Sequence, residues 1–209
     1  MIILSILVAT TPERNEMFTE LFNELHKQLE YMNTFHPSLG NIEILVDDSK
    51  RYLDGGLSIG KKREALLKRA SGKYICYLDS DESISGNYLE TLVRACHHDK
   101  DIVTFRSFAN LEQYWTLIDM SLNYENEEAT PNKVTQRLPW HICPVKLDYA
   151  KIYDFEDVNY GEDWKWFEQV LKHCKTEYHM HSILHQYNHG SHSQADEITR
   201  YENESNRLG

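Results

Sequence analysis

A run of apolar residues at 74–78 ends in three carboxylates, Asp79, Asp81 and Glu82. Read as a strand, it alternates its side chains between two faces, so Asp79 and Asp81 project to the same side just past its carboxyl end. That edge is where open α/β sheets hold their ligands. Two carboxylates so close repel unless a cation lies between them, and hard oxygen ligands suit Mg²⁺ or Mn²⁺, with phosphates completing the octahedron. The same residues also suit a turn at Asp79 and a helix start at Ser80 or Asp81, so the triplet alone leaves both readings open. Other acidic pairs stand at element ends. Asp47 and Asp48 follow an apolar stretch, and Glu162 and Asp163 open a helical pattern, where the helix dipole favours the ionised form. His141-Ile-Cys143 has metal-like spacing, but no second pair stands beside it to complete a zinc site. Six histidines between His173 and His192 fall mainly on a strand and the loop beyond it. Most read as surface or hydrogen-bonded groups, and one or two at most reach an ion.

Placing those groups takes strands that end at them and helices that open after them. Residues 2–9 are an almost unbroken run of Ile, Leu and Val, as in a central parallel strand. Thr10-Thr11-Pro12 opens a helix, with Thr11 as its cap and Pro12 at the first helical position. Phe18, Leu21, Phe22, Leu25 and Leu29 form one apolar stripe along it. Pro37 and Gly40 close this unit, residues 42–46 make a second strand, and Gly55, Gly56 and Gly60 mark a loop. The next helix carries Ile59, Arg63, Leu66, Leu67 and Ala70 on one side, with Gly72 as the residue that ends it. A third helix over about residues 86–98 turns Leu89, Leu92, Val93 and Cys96 inward, and residues 102–108 form a further strand. Strands alternating with helices imply an α/β layer with a largely parallel sheet.

Past residue 110 the pattern loosens into one or two strands within 112–124 and a polar, mobile loop at 123–136. The last helix begins at Tyr160 and turns Phe167, Val170, Leu171 and Cys174 inward; a strand over 177–187 follows, then a polar tail from Gln194 that is helical or frayed. Trp164 falls three before Phe167 and seven before Leu171, which assigns it to the core. Trp166 and Trp140 are less committed by their spacing.

Length and composition fit one soluble domain: 209 residues, 41% hydrophobic and 26% charged. A formal net charge of −11 argues against general binding of polyanions, which needs Lys and Arg to displace counterions. The opening apolar run lacks a basic leader and is too short to cross a bilayer, so it reads as a strand and neither a signal nor an anchor. Cys76, Cys96, Cys143 and Cys174 are widely spaced, which points to reduced thiols in a cytoplasm and to no disulfides.

Taken together, these motifs resemble a family 2-like glycosyltransferase of the GT-A fold over most of the chain. Asp47-Asp48-Ser49 looks like the family's nucleotide-binding carboxylates. Gly60-Lys-Lys-Arg63 through Ala70, Gly72 and Tyr74 to Asp79-Ser80-Asp81 matches the arginine-bearing helix that leads into a metal-binding Asp-x-Asp. Gly161-Glu162-Asp163-Trp164 looks like the family's Glu-Asp pair. The resemblance implies a single Rossmann-like, mostly parallel sheet flanked by helices, with a nucleotide-binding half over about residues 1–109 and a smaller, mixed acceptor-side portion over about 110–193. It implies Asp163 as catalytic base with Glu162 beside it. Thr10, Arg14, Asp48, Arg63 and Asp79 form the donor-binding set, and Asp81, Asp79 and His185 are the ligands of Mn²⁺ or Mg²⁺. Trp140, His141, Trp166 and His189 remain for the acceptor side. His189 and His192 compete with His185 by position, and the family's usual Arg-Asn is Arg63-Glu64 here.

The chemistry explains those residue types. A sugar leaving a nucleoside diphosphate, here a UDP-sugar first of all, loads negative charge onto the phosphates, which a divalent ion and a planar guanidinium stabilise. A carboxylate facing the acceptor hydroxyl, on a glycan or a modified DNA base, takes its proton and implies inversion. Two other classes share the Asp-x-Asp signature or the fold: Mg²⁺-dependent nucleotidyl transfer or phosphate hydrolysis, and non-catalytic binding of a nucleotide sugar. An aspartate-nucleophile phosphatase carries its Asp pair on the first strand, which here ends in threonines, and a pure binder has no need of both Asp81 and Asp163.

Overall fold

In a computed structural model, residues 1–50, 54–111 and 114–188 are described, and the structural statements that follow concern them. His189, His192 and the tail from Gln194 lie outside the described residues. Strand β1 (Ile2–Ala9) is the spine, with every residue from Leu4 onward buried, as its apolar run requires. A 3₁₀ turn (Pro12–Arg14) leads into helix α1 (Asn15–Phe35), and a second turn (Pro37–Leu39) into β2 (Asn41–Asp47). Helix α2 (Ile59–Arg69) precedes β3 (Tyr74–Asp79) and the short β4 (Ser83–Ile84). Then come α3 (Tyr88–Cys96), β5 (Ile102–Asn110), β6 (Trp115–Met120), β7 (Val134–Arg137) and β8 (Val145–Lys146). The one-turn α4 (Leu147–Ala150), α5 (Glu162–Leu171) and β9 (Glu177–Asn188) complete the order.

The strands form one mixed sheet in the order β2-β1-β3-β8-β5-β6-β7, with β9 pairing to β5 and β4 to β9. Its first three strands are parallel, and their register puts Ala9 level with both Asp47 and Asp79. Two strands that end in carboxylates therefore stop at one edge. Beyond them β8 runs antiparallel between β3 and β5, and β6 is antiparallel to β5. The expected α/β sheet, parallel over its first strands and mixed beyond them, is present. β1, β3, α2 and α3 share one core with the later strands and helices, and all four cysteines are buried in it as thiols. No described helix is long and apolar enough to cross a membrane.

Several local expectations are corrected. Thr11 stands at the head of the 3₁₀ turn but its side chain caps nothing, because helix α1 proper starts three residues after Pro12. Gly72 does not end α2 in a left-handed turn. It is there because a Cβ would sit 2.6 Å from Ser5 Oγ and 2.7 Å from the Ser5 nitrogen, so only glycine lets the chain pass so close to β1. The polar stretch at 123–136 ends in a strand, since β7 pairs with β6 from Val134 to Arg137. β4, β8 and α4 carry too few residues to show a period and are additions of the structure.

Candidate active site

The sheet's ligand edge opens into a cleft of about 870 Å³. Its walls come from the end of β1 (Thr10, Thr11 and Arg14 just beyond), the start of α2 (Ile59, Arg63), the end of β3 (Asp79, Asp81, Glu82), the segment 140–142 and the head of α5. A volume of this size suits a nucleotide-sized ligand.

Arg63 is the pin of this arrangement. It is 3% exposed, yet its guanidinium reaches Asp79 Oδ1 at 2.8 Å through Nη2 and Glu162 Oε1 at 3.1 Å through Nε. One buried cation thus joins the end of β3 to the start of α5. Burial works against its charge, but the carboxylates of Asp79, Glu162 and Asp163 outweigh burial and hold the proton more tightly than usual. Its Nη1 is buried without a hydrogen-bond partner among the described residues. α2 sits where it does because Gly60 lets its first turn press on the Glu156 carbonyl, 2.0 Å from where a Cβ would stand. Ser58 caps α2 by accepting from the Lys61 nitrogen and donates its own hydroxyl proton to Asp157 at 2.6 Å. The Ile59 nitrogen donates to Asn159 Oδ1 and the Gly60 nitrogen to the Val158 carbonyl. Together these contacts latch residues 156–159 onto α2 and set the height of Gly161, whose φ of 72° turns the chain into α5.

His141 is the second organiser. It is 9% exposed, with Nδ1 3.1 Å from Asp163 Oδ2 and Nε2 3.8 Å from Asp79 Oδ2. Burial and the nearby Arg63 work against its charge, but bonding to Asp163 and Asp79 wins and raises its pKa to about 9. The imidazolium in turn keeps Asp163 ionised: burial would raise that carboxyl, and His141, Arg63 and the Trp164 nitrogen, which donates to Oδ1 at 2.7 Å, drive it far below the ordinary range. Asp79 is held low in the same way, chiefly by Arg63 against burial. Glu162 goes the other way, raised by its own burial.

Asp81 has a different environment. Its Oδ2 accepts from Arg14 Nη1 at 3.1 Å, and burial with the charges of Asp79 and Glu82 lifts its pKa to about 6. A carboxylate crowded by negative charge on a cleft wall is a site that gains from a cation. The donor set fits a hard ion carried by one carboxylate, phosphate oxygens and water. Asp79, which the motif pairs with it, gives Oδ1 to Arg63 and turns Oδ2 toward His141 Nε2 at 3.8 Å.

The remaining candidates divide. Thr10 and Thr11 line the cleft with buried hydroxyls that have no partner among the described residues. Trp140 lines it too, under the Arg137 guanidinium at 5.3 Å. Asp48 is exposed past β2 and is not on the cleft wall. His185 is not on that wall either: it is 2% exposed, with Nδ1 2.7 Å from Ser107 Oγ and Nε2 2.9 Å from Glu82 Oε2. Its Nδ1 is engaged with Ser107, and its Nε2 faces the Glu82 carboxylate without a hydrogen bond among the described residues, so as placed the ring does not reach the cleft. The two tryptophans of α5 exchange places. Trp166 is 2% exposed, donates Nε1–H to the Tyr153 carbonyl and stacks on Phe155, whereas Trp164 lines the cleft. The buried face of α5 carries 162, 166, 167 and 170, residues three and four apart, and leaves 164 to one side. His189 lies outside the described residues. Arg137 and Tyr187 on the walls were not foreseen, since no motif marks them.

A family model described as glycosyl transferase family 2 matches residues 51–161. Among solved structures, S. aureus TarS 1-349 superposes on 90% of this chain and 60% of its own at 16% identity and a TM-score of 0.59. The same protein in complex with UDP gives 0.60 at 16% identity, over 90% and 61% of the two chains. In complex with UDP-GlcNAc it gives 0.58 at 13% identity, over 93% and 61%. At such identities the likeness is one of fold, and the chain spans about three-fifths of the length of TarS 1-349. No curated protein matches the sequence.

Proposed function

The chain belongs to glycosyl transferase family 2, and from that premise we propose that it moves a sugar from a nucleoside-diphosphate donor to an acceptor hydroxyl with inversion at the anomeric carbon. The observation that carries this reading is that Asp81 and Asp163 stand on the walls of one cleft, the first among groups suited to a diphosphate and the second held ionised by His141. A UDP-sugar is the first donor to test, because TarS, which shares the fold, binds UDP and UDP-GlcNAc. The acidic balance of the chain favours a glycan acceptor over DNA. The whole chain is read as one catalytic domain, and its four buried thiols suit a reducing cytoplasm.

On the donor side, Thr10 and Thr11 offer hydroxyls, and Arg14 and Arg63 Nη1 offer positive charge to the phosphates. Asp81 would hold Mn²⁺ or Mg²⁺, and such an ion, when bound, neutralises charge that gathers on the diphosphate. On the acceptor side, Asp163 accepts the hydroxyl proton while the hydroxyl oxygen forms its bond to the anomeric carbon. The bond to the diphosphate oxygen breaks on the opposite face, and the nucleoside diphosphate leaves with the electron pair. His141 and the Trp164 nitrogen fix the carboxylate's orientation, and Trp140 and Trp164 offer flat apolar faces for sugar rings.

Calorimetric titration with UDP in the presence and absence of Mn²⁺ tests the donor side. Asp81→Ala should abolish the Mn²⁺-dependent part of binding and leave the fold intact, because a carboxylate on a cleft wall contributes little to stability. Undiminished Mn²⁺-dependent binding in that variant rejects the assignment of Asp81. A panel of nucleotide sugars scored for donor hydrolysis then identifies the sugar.

A further inference from the structure

Strand β6 presents Ile118 to the cleft, so Asp119, the next residue, points to the other face of the sheet. There it meets two residues of β9. β6 and β9 flank β5 on opposite sides, with Asp119 level with Arg106 and His179 level with Thr104. Between Thr104 and Arg106, β9 slips register and carries extra residues that include His181, a bulge of the kind that re-aims side chains. One ligand atom from each of Asp119, His179 and His181 falls within 4.8 Å of the others.

Hydrogen-bond accounting shows what this cluster lacks. Thr104 has one hydroxyl proton and donates it to Glu177 Oε2 at 2.9 Å, since a carboxylate only accepts. The Thr104 oxygen, 3.0 Å from His179 Nδ1, therefore accepts from Nδ1–H. In the neutral ring, His179 Nε2 then carries a lone pair, and it faces Asp119 Oδ1 at 3.4 Å. Both atoms are buried and neither has a hydrogen-bond partner among the described residues; Asp119 itself is 3% exposed. Two lone pairs facing each other call for a cation between them. With metal–ligand bonds of about 2.0–2.2 Å, tetrahedral ligands stand roughly 3.3–3.5 Å apart, which is the separation observed. His181 Nδ1 lies 3.8 Å from Asp119 Oδ2 on an exposed side chain, so a small rotation brings it into place. A ring nitrogen whose partner nitrogen donates to a fixed oxygen is the usual outer support of a metal-bound histidine.

We propose that Asp119, His179 and His181 bind one divalent transition ion, Zn²⁺ in the first place, at a site separate from the catalytic cleft, tying β6 to β9 across β5. Two imidazoles and one carboxylate suit Zn²⁺ better than Mg²⁺ or Mn²⁺, which favour oxygen, and water takes the open fourth position. Arg106 Nη2 donates to Asp119 Oδ2 at 3.0 Å, which leaves Oδ1 for the ion. Its charge also weakens the site relative to a bare set of the same ligands.

The test uses the full chain, freed of metal by a chelator and titrated with Zn²⁺ alone, with no nucleotide present. One Zn²⁺ per chain is expected, with the same affinity in Asp81→Ala and at least tenfold weaker affinity in His181→Ala, an exposed position whose replacement spares the core. Co²⁺ in the unaltered protein should give the strong visible absorption of a four-coordinate ion, and His181→Ala should remove it. The proposal is overturned by the absence of stoichiometric binding, by binding that survives His181→Ala, or by binding that Asp81→Ala removes. None of these readouts depends on the transferase reaction.

Discussion

Asp163→Asn separates proton transfer from everything else the head of α5 does. Asparagine keeps the size of the side chain and an oxygen for the Trp164 nitrogen, now 2.7 Å away, but it cannot take a proton from the acceptor. Removing a positioned base costs about two to four orders of magnitude in turnover, equivalent to roughly 3–5 kcal/mol on the barrier. Donor affinity should hold, because Arg14 and Asp81, the cleft groups proposed to meet the phosphates, are untouched. Stability should fall modestly. His141 loses the carboxylate at 3.1 Å and keeps Asp79 at 3.8 Å, a loss of about 1–3 kcal/mol for a buried charge-assisted hydrogen bond. For a chain of this size that lowers the Tm by roughly 2–12 °C. The assay pairs donor titration with single-turnover rates, so that binding and chemistry are read separately. NMR of the product compares its anomeric configuration with that of the donor. Near-normal turnover in Asp163→Asn, or retention of configuration in the parent, would refute the assignment and make Glu162 the next carboxylate to test.

Three further outcomes follow from the same geometry. Arg63→Met leaves the buried Glu162 and the half-buried Asp79 without their shared cation and should cost about 3–5 kcal/mol in urea unfolding; an unchanged midpoint would show that the pair needs no guanidinium. The charged His141 ring, with its folded pKa near 9 against 6.5 for the free side chain, stabilises the fold fully below about pH 6.5 and loses that contribution as pH rises through about 9. The parent should therefore lose about 1–3 kcal/mol over that window that His141→Gln does not, and parallel stability curves for the two would contradict it. Gly161→Ala meets no atom within 4 Å, so its cost should come from the backbone alone, about 1–2 kcal/mol for a φ of 72°, with turnover falling as α5 shifts; a neutral substitution would mean that the turn relaxes freely.

The long elements were legible because their periods are long enough to read. β1 through β3 and the helices between them stand where the apolar pattern puts them, and the carboxylates ending β2 and β3 share one edge because the three strands run parallel. Pairings across the fold were not legible. Nothing near Arg63 in the sequence marks it as the partner of Asp79 and Glu162 at once, and His141 gives no local sign that it will sit between Asp79 and Asp163. The misplaced tryptophan has a local cause: Trp164 stands three before Phe167 and Trp166 four before Val170, so both fit helical spacing, and the buried face takes 162, 166, 167 and 170. His185 carried a position but no sign of the two partners that enclose it.

The latch between α2 and residues 156–159 bears on how the protein acquires its activity. Its bonds join residues 99 and 100 apart in the chain, and Arg63 to Glu162 is just as distant. Contacts of such separation are slow to form, because a long loop must close before any of them is gained. The three parallel strands and their helices are built from nearer neighbours and can assemble first. During synthesis, β1 to β3 and their helices are thus made before the chain has supplied Asp163, which reaches the cleft only when α5 docks. The cleft is therefore whole only once residues 140–142 and the head of α5 have closed its far wall, so any ligand that needs both walls must wait for the most distant contacts of the fold.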